Sequence, residues 1–223
     1  ARMDIDSVRG KTAHDHLIQQ FEQGRLDILV GTQMVVKGLD FENVNLVGIL
    51  DADSLLSFAD FRVNERAFQL MEQVSGRAGR KDKQGRVFIQ VANTKHPVLY
   101  YVQQHDYGLF YQQEIAGRKQ FFYPPFSRLI QLTFKHKQRD AVHAAATALA
   151  EAMKPGFGNY LIGPAEPVVN RVRNQYLMEL MIKLPKDRDL IANCKRFVQE
   201  QVAILHNDKR YKYSRVVMVK SDC

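Results

Sequence analysis

The chain has 223 residues, 45% of them hydrophobic and 25% charged, which is the composition of a soluble globular protein with one large or two small domains. No apolar run approaches the roughly 18 residues of a membrane span, and no signal-peptide pattern opens the chain. The formal net charge of +8 is unevenly placed: residues 1–120 carry 15 Lys and Arg against 15 Asp and Glu, residues 121–223 carry 17 against 9. A surplus confined to one half reads either as the footprint of a polyanion partner, most simply nucleic acid, or as ordinary solubility charge.

Taken in order, the periodicity predicts a helix over about 12–23, with Leu17, Ile18 and Phe21 on one face and Gly24 ending it. Asp27–Val30 reads as a short buried strand. Val44–Asp51 reads as another, apolar on both faces as a parallel sheet requires. A helix near 62–77 turns Ala67, Leu70, Met71 and Val74 inward, and Arg86–Val91 is a further strand. Alternating strands and helices predict an α/β unit with a parallel sheet. Residues 95–120 read as helical and aromatic-rich. Tyr123-Pro124-Pro125-Phe126 then disfavours helix and marks a boundary, giving domains over 1–120 and 121–223.

Past the boundary the pattern restarts. Strands are expected over Leu129–Phe134 and near 160–163, 167–173 and 176–184, with helices over 138–153 and 188–206 and a final strand over Arg215–Lys220. That order predicts a small α+β domain built from split βαβ units. Cys194 falls on an apolar helix stripe with Leu190, Ile191, Phe197 and Val198, as a core cysteine does, and Cys223 is the last residue. Two such cysteines make neither a disulfide framework nor a metal set, which fits a reducing compartment, and no metal ligand is assigned. The abrupt Ala1-Arg2-Met3-Asp4 opening reads as the cut end of a longer protein.

Three segments are candidates for chemistry. Gln73-Val74-Ser75-Gly76-Arg77-Ala78-Gly79-Arg80 sets two arginines three apart at the end of an amphipathic helix. Their rigid, permanently charged forks suit a phosphoryl group; the alternative is a solvated surface turn. Gly31–Phe41 follows a core strand, where ligands of open α/β sheets bind. In it Gly31 and Gly38 permit close approach, Thr32 and Gln33 offer uncharged donors to a sliding phosphate backbone, Lys37 adds an ionic contact, and Asp40 suits a ribose hydroxyl. The alternative is a polar loop with a helix cap. No G-x-x-x-x-G-K-[ST] occurs, so the element that grips β- and γ-phosphates is missing from these 223 residues. Third, Lys209, Arg210, Lys212 and Arg215 are interleaved with Tyr211 and Tyr213, and Arg171 and Arg173 alternate on an expected strand, which would turn both to one side. These suit single-stranded or junction DNA, or else form a solvated hairpin edge. Arg62 and Arg66 fit an internal ion-pair network with Asp60 and Glu65, or the same cleft as Arg77 and Arg80.

Residues 31–41 resemble motif V, and residues 73–80 motif VI, of superfamily 2 helicases. Ala59-Asp60-Phe61-Arg62, Glu65-Arg66, Gln69-Leu70, Gln73-Val74, the Gly-Thr-Gln-Met start of the loop and the Tyr-Pro-Pro-Phe linker narrow the resemblance to the PriA family of primosomal replication-restart helicases. The resemblance implies part of a second RecA-like motor lobe followed by the family's C-terminal domain, acting in an ATP-dependent 3′-to-5′ DNA helicase of fork restart. It implies that Arg77 and Arg80 stabilise the γ-phosphate, that Gln73 positions the nucleotide, that Gly31, Thr32, Gln33 and Lys37 contact DNA, and that Gly38 and Asp40 couple the two. Leu39, where the family often has histidine, is assigned no role. ATP and Mg²⁺ are implied for the full-length protein only, and the family's zinc upstream of this stretch. Forked or single-stranded DNA, primosome proteins and single-strand-binding proteins are the implied partners, in the bacterial cytoplasm at the nucleoid. Two readings of another class stand beside it: a non-catalytic fork-DNA module, and a platform for primosome proteins.

Overall fold

The structure, a computed structural model, describes residues 1–3, 11–32, 44–58, 60–76, 78, 85–208 and 215–221. The chain divides into two compact units, Ala1–Gln112 and Gln113–Cys223.

In the first unit β1 (Arg2–Met3) pairs in parallel with β2 (Val30–Gly31), on either side of α1 (Lys11–Glu22) in sequence. A second parallel pair joins β3 (Leu46–Ile49) to β4 (Arg86–Ile89). Between these two strands run α2 (Asp53–Leu56) and α3 (Val63–Ser75), and after them α4 (Pro97–Gln104) and α5 (Tyr107–Gln120). α4 opens on His96, whose ring accepts from the Val98 amide, with Pro97 on the first turn where its missing N–H costs nothing. The stretch expected to be helical over 95–120 forms two helices, divided at His105, which takes a left-handed φ of 51°. Asp106 then starts α5 by accepting from the Leu109 amide at 2.8 Å.

The core of this unit is Ala52, Ala67, Phe68, Met71, Val98, Leu99, Val102 and Phe110. Phe68 and Phe110 stack with centroids 4.4 Å apart and planes 7° from parallel. Phe68 and Met71, not Leu70, are the large side chains that α3 buries, because the burial stripe runs through 67, 68, 71 and 74. The β3–β4 ladder departs from the expected two-faced burial: Leu46 and Phe88 are each 59% exposed, while Val47, Ile49, Val87 and Ile89 are half-buried. The helices therefore cover one face of the pair. Ile28 and Val30 are exposed as well, so the expected buried strand at 27–30 is a two-residue, solvent-facing β2.

The second unit is an antiparallel sheet under two helices. β5 (Arg128–His136), α6 (Arg139–Phe157), a 3₁₀ turn (Gly158–Tyr160), β6 (Leu161–Ala165), β7 (Arg171–Val172), β8 (Gln175–Leu184), α7 (Arg188–Asn207) and β9 (Arg215–Ser221) follow in turn. The strands stand in the order β6-β8-β5-β9, with β7 paired to the start of β8. Alternation decides the faces. Ile130, Leu132 and Phe134 of β5 and Met178, Leu180, Ile182 and Leu184 of β8 are buried among Val142, Ala145, Ala146, Leu149 and Met153 of α6 and Cys194 and Val198 of α7. Each Val, Leu, Ile, Met or Phe side chain among them contributes roughly 1.5–3 kcal/mol on burial. The intervening residues Gln131, Thr133, Lys135, Leu177, Glu179, Met181 and Lys183 lie half-buried on the other face. α7 is capped by Asp187, which accepts from the Leu190 amide at 2.8 Å.

Candidate functional site

The candidate residues fall into two groups, one in each unit. In the first, α3 carries Gln73 on its last turn, exposed to solvent. The helix closes at Ser75, where the Gly76 amide donates to the carbonyls of Glu72 and Val74, and the Ala78 amide donates to Ser75 at 3.1 Å. Arg77 and Arg80 lie outside the described residues. Gly31 and Thr32 stand exposed at the carboxyl end of β2, the side on which open parallel sheets take their ligands. Gln33, Lys37, Gly38 and Asp40 lie outside the described residues. Arg66 is paired internally, its Nη1 2.6 Å from Asp60 Oδ2, and the Arg62 guanidinium sits over the Phe61 ring at 5.1 Å. The ion-pair alternative for Arg66 is thus the one the fold adopts.

Sequence reasoning passed over a corner at the carboxyl end of β3. Asp51 takes a left-handed φ of 52°, and Ser54 Oγ donates to its carbonyl at 2.8 Å. Asp53 Oδ2 accepts from the Ala92 amide at 2.7 Å, tying the turn after β3 to the segment after β4. The Asp-Ala-Asp-Ser string after an apolar strand was the available signal, because Asp and Ser favour turns and helix starts.

In the second unit the structure corrects one expectation. Arg171 and Arg173 do not alternate along a strand: β7 ends at Val172, and Arg173 and Asn174 form a two-residue turn into β8, with φ of 48° and 61°. Two successive positive φ values are what a type I′ hairpin needs, and Asn tolerates that region. Arg171 is engaged nearby, its guanidinium 4.9 Å from the Tyr176 ring centroid and bonded to Asn174 Oδ1. Arg215 opens β9 opposite Lys135. Lys209, Arg210 and Lys212 lie outside the described residues.

Two further arrangements escaped the sequence reading. Glu166 gathers three partners: Arg139 Nε at 2.8 Å, His143 Nε2 at 2.6 Å and Asn170 Nδ2 at 2.9 Å. Those bonds, Asn170 first, hold its carboxyl at a pKa of about 2. The cluster fastens the loop between β6 and β7 to the start of α6. Lys183 donates to the Phe121 carbonyl at 3.0 Å and caps the Tyr123 ring, so the Tyr-Pro-Pro-Phe segment is held to β8. Ser127 Oγ adds a bond to the Phe122 carbonyl at 2.8 Å. Cys194 is fully buried, and burial pushes its thiol up to about 11. Among the described residues no group of His, Cys, Asp and Glu is placed to hold a metal ion, and no helix is long and apolar enough to cross a membrane.

Two family models match the chain: the helicase conserved C-terminal domain over residues 3–82, and the primosomal protein N C-terminal domain over residues 119–222. The replication restart protein PriA of Bacillus subtilis is 39% identical over 223 residues, 99% of this chain and 27% of that protein. This chain belongs to the PriA family. The replication restart proteins PriA of Synechocystis and Treponema pallidum are 41% and 43% identical, over 89% and 83% of this chain and 24% and 28% of those proteins. The chain spans about a quarter of the length of the PriA relatives it matches. The resemblance read from the Gly31–Phe41 loop, the Gln73–Arg80 segment and the Tyr-Pro-Pro-Phe linker therefore holds across the whole chain.

Proposed function

We propose that the chain provides the second motor lobe and the C-terminal domain of an ATP-dependent 3′-to-5′ DNA helicase that acts in fork restart and primosome assembly. The observation that carries this reading is the similarity to the replication restart protein PriA of Bacillus subtilis over 99% of the chain. The parallel pairs of the first unit support a RecA-like lobe. The strand order β6-β8-β5-β9, with helical crossovers from β5 to β6 and from β8 to β9, supports split βαβ units in the second.

In this reading ATP with Mg²⁺ is gripped by a first lobe elsewhere in the full-length protein, and zinc also belongs upstream. Arg77 and Arg80 neutralise charge spreading over the γ-phosphoryl oxygens, and Gln73, exposed on the turn before them, positions the nucleotide. Gly31, Thr32, Gln33 and Lys37 hold the DNA backbone, and Gly38 and Asp40 transmit lobe closure to it. Arg171, Arg173, Lys209, Arg210, Lys212 and Arg215 add contacts to forked or single-stranded DNA. Primosome and single-strand-binding proteins are its partners, in the bacterial cytoplasm at the nucleoid. Without the phosphate-gripping loop, the 223 residues alone do not turn over ATP.

The test is DNA-stimulated ATP hydrolysis by the full-length protein. Arg77→Ala and Arg80→Ala each lower turnover about 10³-fold or more, with fork binding retained. Turnover within a few-fold of the parent would overturn the motor reading in favour of a scaffold. DNA-stimulated hydrolysis by the isolated chain would overturn the assignment of the phosphate grip to another lobe.

A further inference from the structure

α5 is a 14-residue helix that, among the described residues, buries one side chain of its own, Phe110. α3, of 13 residues, buries four: Ala67, Phe68, Met71 and Val74. Helices in proteins are held mostly by the packing of one face rather than by intrinsic propensity. This chain therefore gives α5 less to pack against than its length calls for. What the helix turns outward is aromatic. Tyr107 and Tyr111, one turn apart and so on one face, are 59% and 51% exposed, and Tyr100 of α4 is 56% exposed.

These rings are braced. Tyr107 and Tyr111 have centroids 6.2 Å apart, and Tyr107 leans on Phe68 at 6.0 Å and on Phe110 at 6.5 Å. Phe110 also meets Tyr101 edge-on at 5.8 Å, and Tyr101 meets Tyr100 at 5.5 Å. A continuous run of rings leads from Tyr111 through the stacked Phe68 and Phe110 to Tyr100. Rings already fixed in this way lose little freedom when a surface covers them.

The charge around them is equally particular. Residues 97–113 contain no lysine or arginine and one acid, Asp106, which is engaged with the Leu109 amide. In a chain that is 25% charged, this stretch joins aromatic enrichment to the charge depletion of an interface core. Without cations it offers a phosphate backbone nothing to pair with, and the convex face of a helix does not enclose a small molecule. The chemistry fits a protein surface. The chain spans 27% of the Bacillus subtilis relative, so the greater part of such a polypeptide lies outside it. A surface of the same polypeptide is held at a high effective concentration beside α5, which favours it over a separate partner.

We infer that Tyr107 and Tyr111, with Tyr100, form a docking surface for an uncharged, apolar protein face in the rest of the full-length protein. The inference rests on the proposed longer helicase but not on its catalysis. The covering face closes over the rings, and the tyrosine hydroxyls lie at its rim or donate to acceptors in it.

The experiment is hydrogen–deuterium exchange of the full-length protein and of the 223-residue chain, read over residues 107–113, with 142–153 of α6 as internal reference. Amides of 107–113 are expected to exchange about tenfold or more slowly in the full-length protein, with the reference unchanged. In the full-length protein Tyr107→Lys with Tyr111→Lys is expected to return 107–113 to the rate of the isolated chain. In the isolated chain, where both positions are exposed, the same variant is expected to keep a cooperative urea transition. Should it fail to fold, Tyr111→Ser, at the end of the run of rings, carries the same test. Equal exchange in the two proteins, or a slowing shared equally by the reference, overturns the inference. So does a slowing that the tyrosine variants leave intact, or one that develops only as protein concentration rises, which marks a second copy as the occupant. The motor reading is judged separately, by the turnover of Arg80→Ala, and stands or falls without reference to α5.

Discussion

The ammonium of Lys183 stands 3.5 Å from the centroid of the Tyr123 ring and donates to the Phe121 carbonyl. One lysine of a sheet strand thereby fastens the segment that leads into β5, 62 residues away in sequence. Burial holds its pKa below the ordinary lysine value, and the ring face and carbonyl offset that desolvation. Lys183→Met is expected to cost about 1 kcal/mol, the worth of one partly shielded cation–π contact. The measurement is the urea midpoint at unchanged m-value; an unmoved midpoint would show that the contact adds nothing.

The Glu166 cluster predicts a pH dependence. Its folded pKa of about 2 lies below the ordinary carboxyl value of 4.5, so the unfolded chain binds the proton more tightly. The stabilisation is fully present above about 4.5 and is lost as pH falls toward 2. Glu166→Gln should therefore lower stability at neutral pH and flatten the acid limb of the stability profile, converging with the parent near pH 2. Parallel profiles for parent and variant would refute this.

Cys194 should be inert in the folded chain. A buried thiol raised to about 11 is almost wholly protonated at pH 8 and shielded from reagents. In a Cys223→Ser background, a disulfide reagent is expected to modify less than one-tenth of the protein under native conditions and all of it in urea. Rapid native labelling would mean that α7 opens readily from the sheet.

Arg173 offers a test of backbone strain. A non-glycine residue in the left-handed region costs roughly 1–2 kcal/mol, against about 0.5–1 kcal/mol of extra chain entropy for glycine. Arg173→Gly should thus raise stability by about 0.5 kcal/mol while removing a cation from the hairpin tip, so that denaturant unfolding and fork affinity move in opposite directions. A fall in stability would place the turn in an unstrained conformation.

In the first unit Phe68→Ala should cost about 3–5 kcal/mol, the price of an aromatic cavity in a close-packed core. Leu70→Ala on the same helix should cost visibly less, since Leu70 is only half-buried. Equal costs for the two would contradict the burial stripe through 67, 68, 71 and 74.

The chain's local text determined most of the elements. Helix over 188–206, strand over 176–184 and the Pro-Pro break are legible because apolar spacing and backbone chemistry act over a few residues. The family was legible for a related reason: the strings that carry the resemblance, such as Gln73–Arg80, are short and contiguous in sequence. Which distant groups meet, by contrast, is settled by strand register, a long-range choice made when whole faces are buried. Arg139 finds Glu166 27 residues further on, and Lys183 reaches the Phe121 carbonyl across 62 residues. None of these relationships has a local signature, since each exists only once the sheet has closed under its two helices.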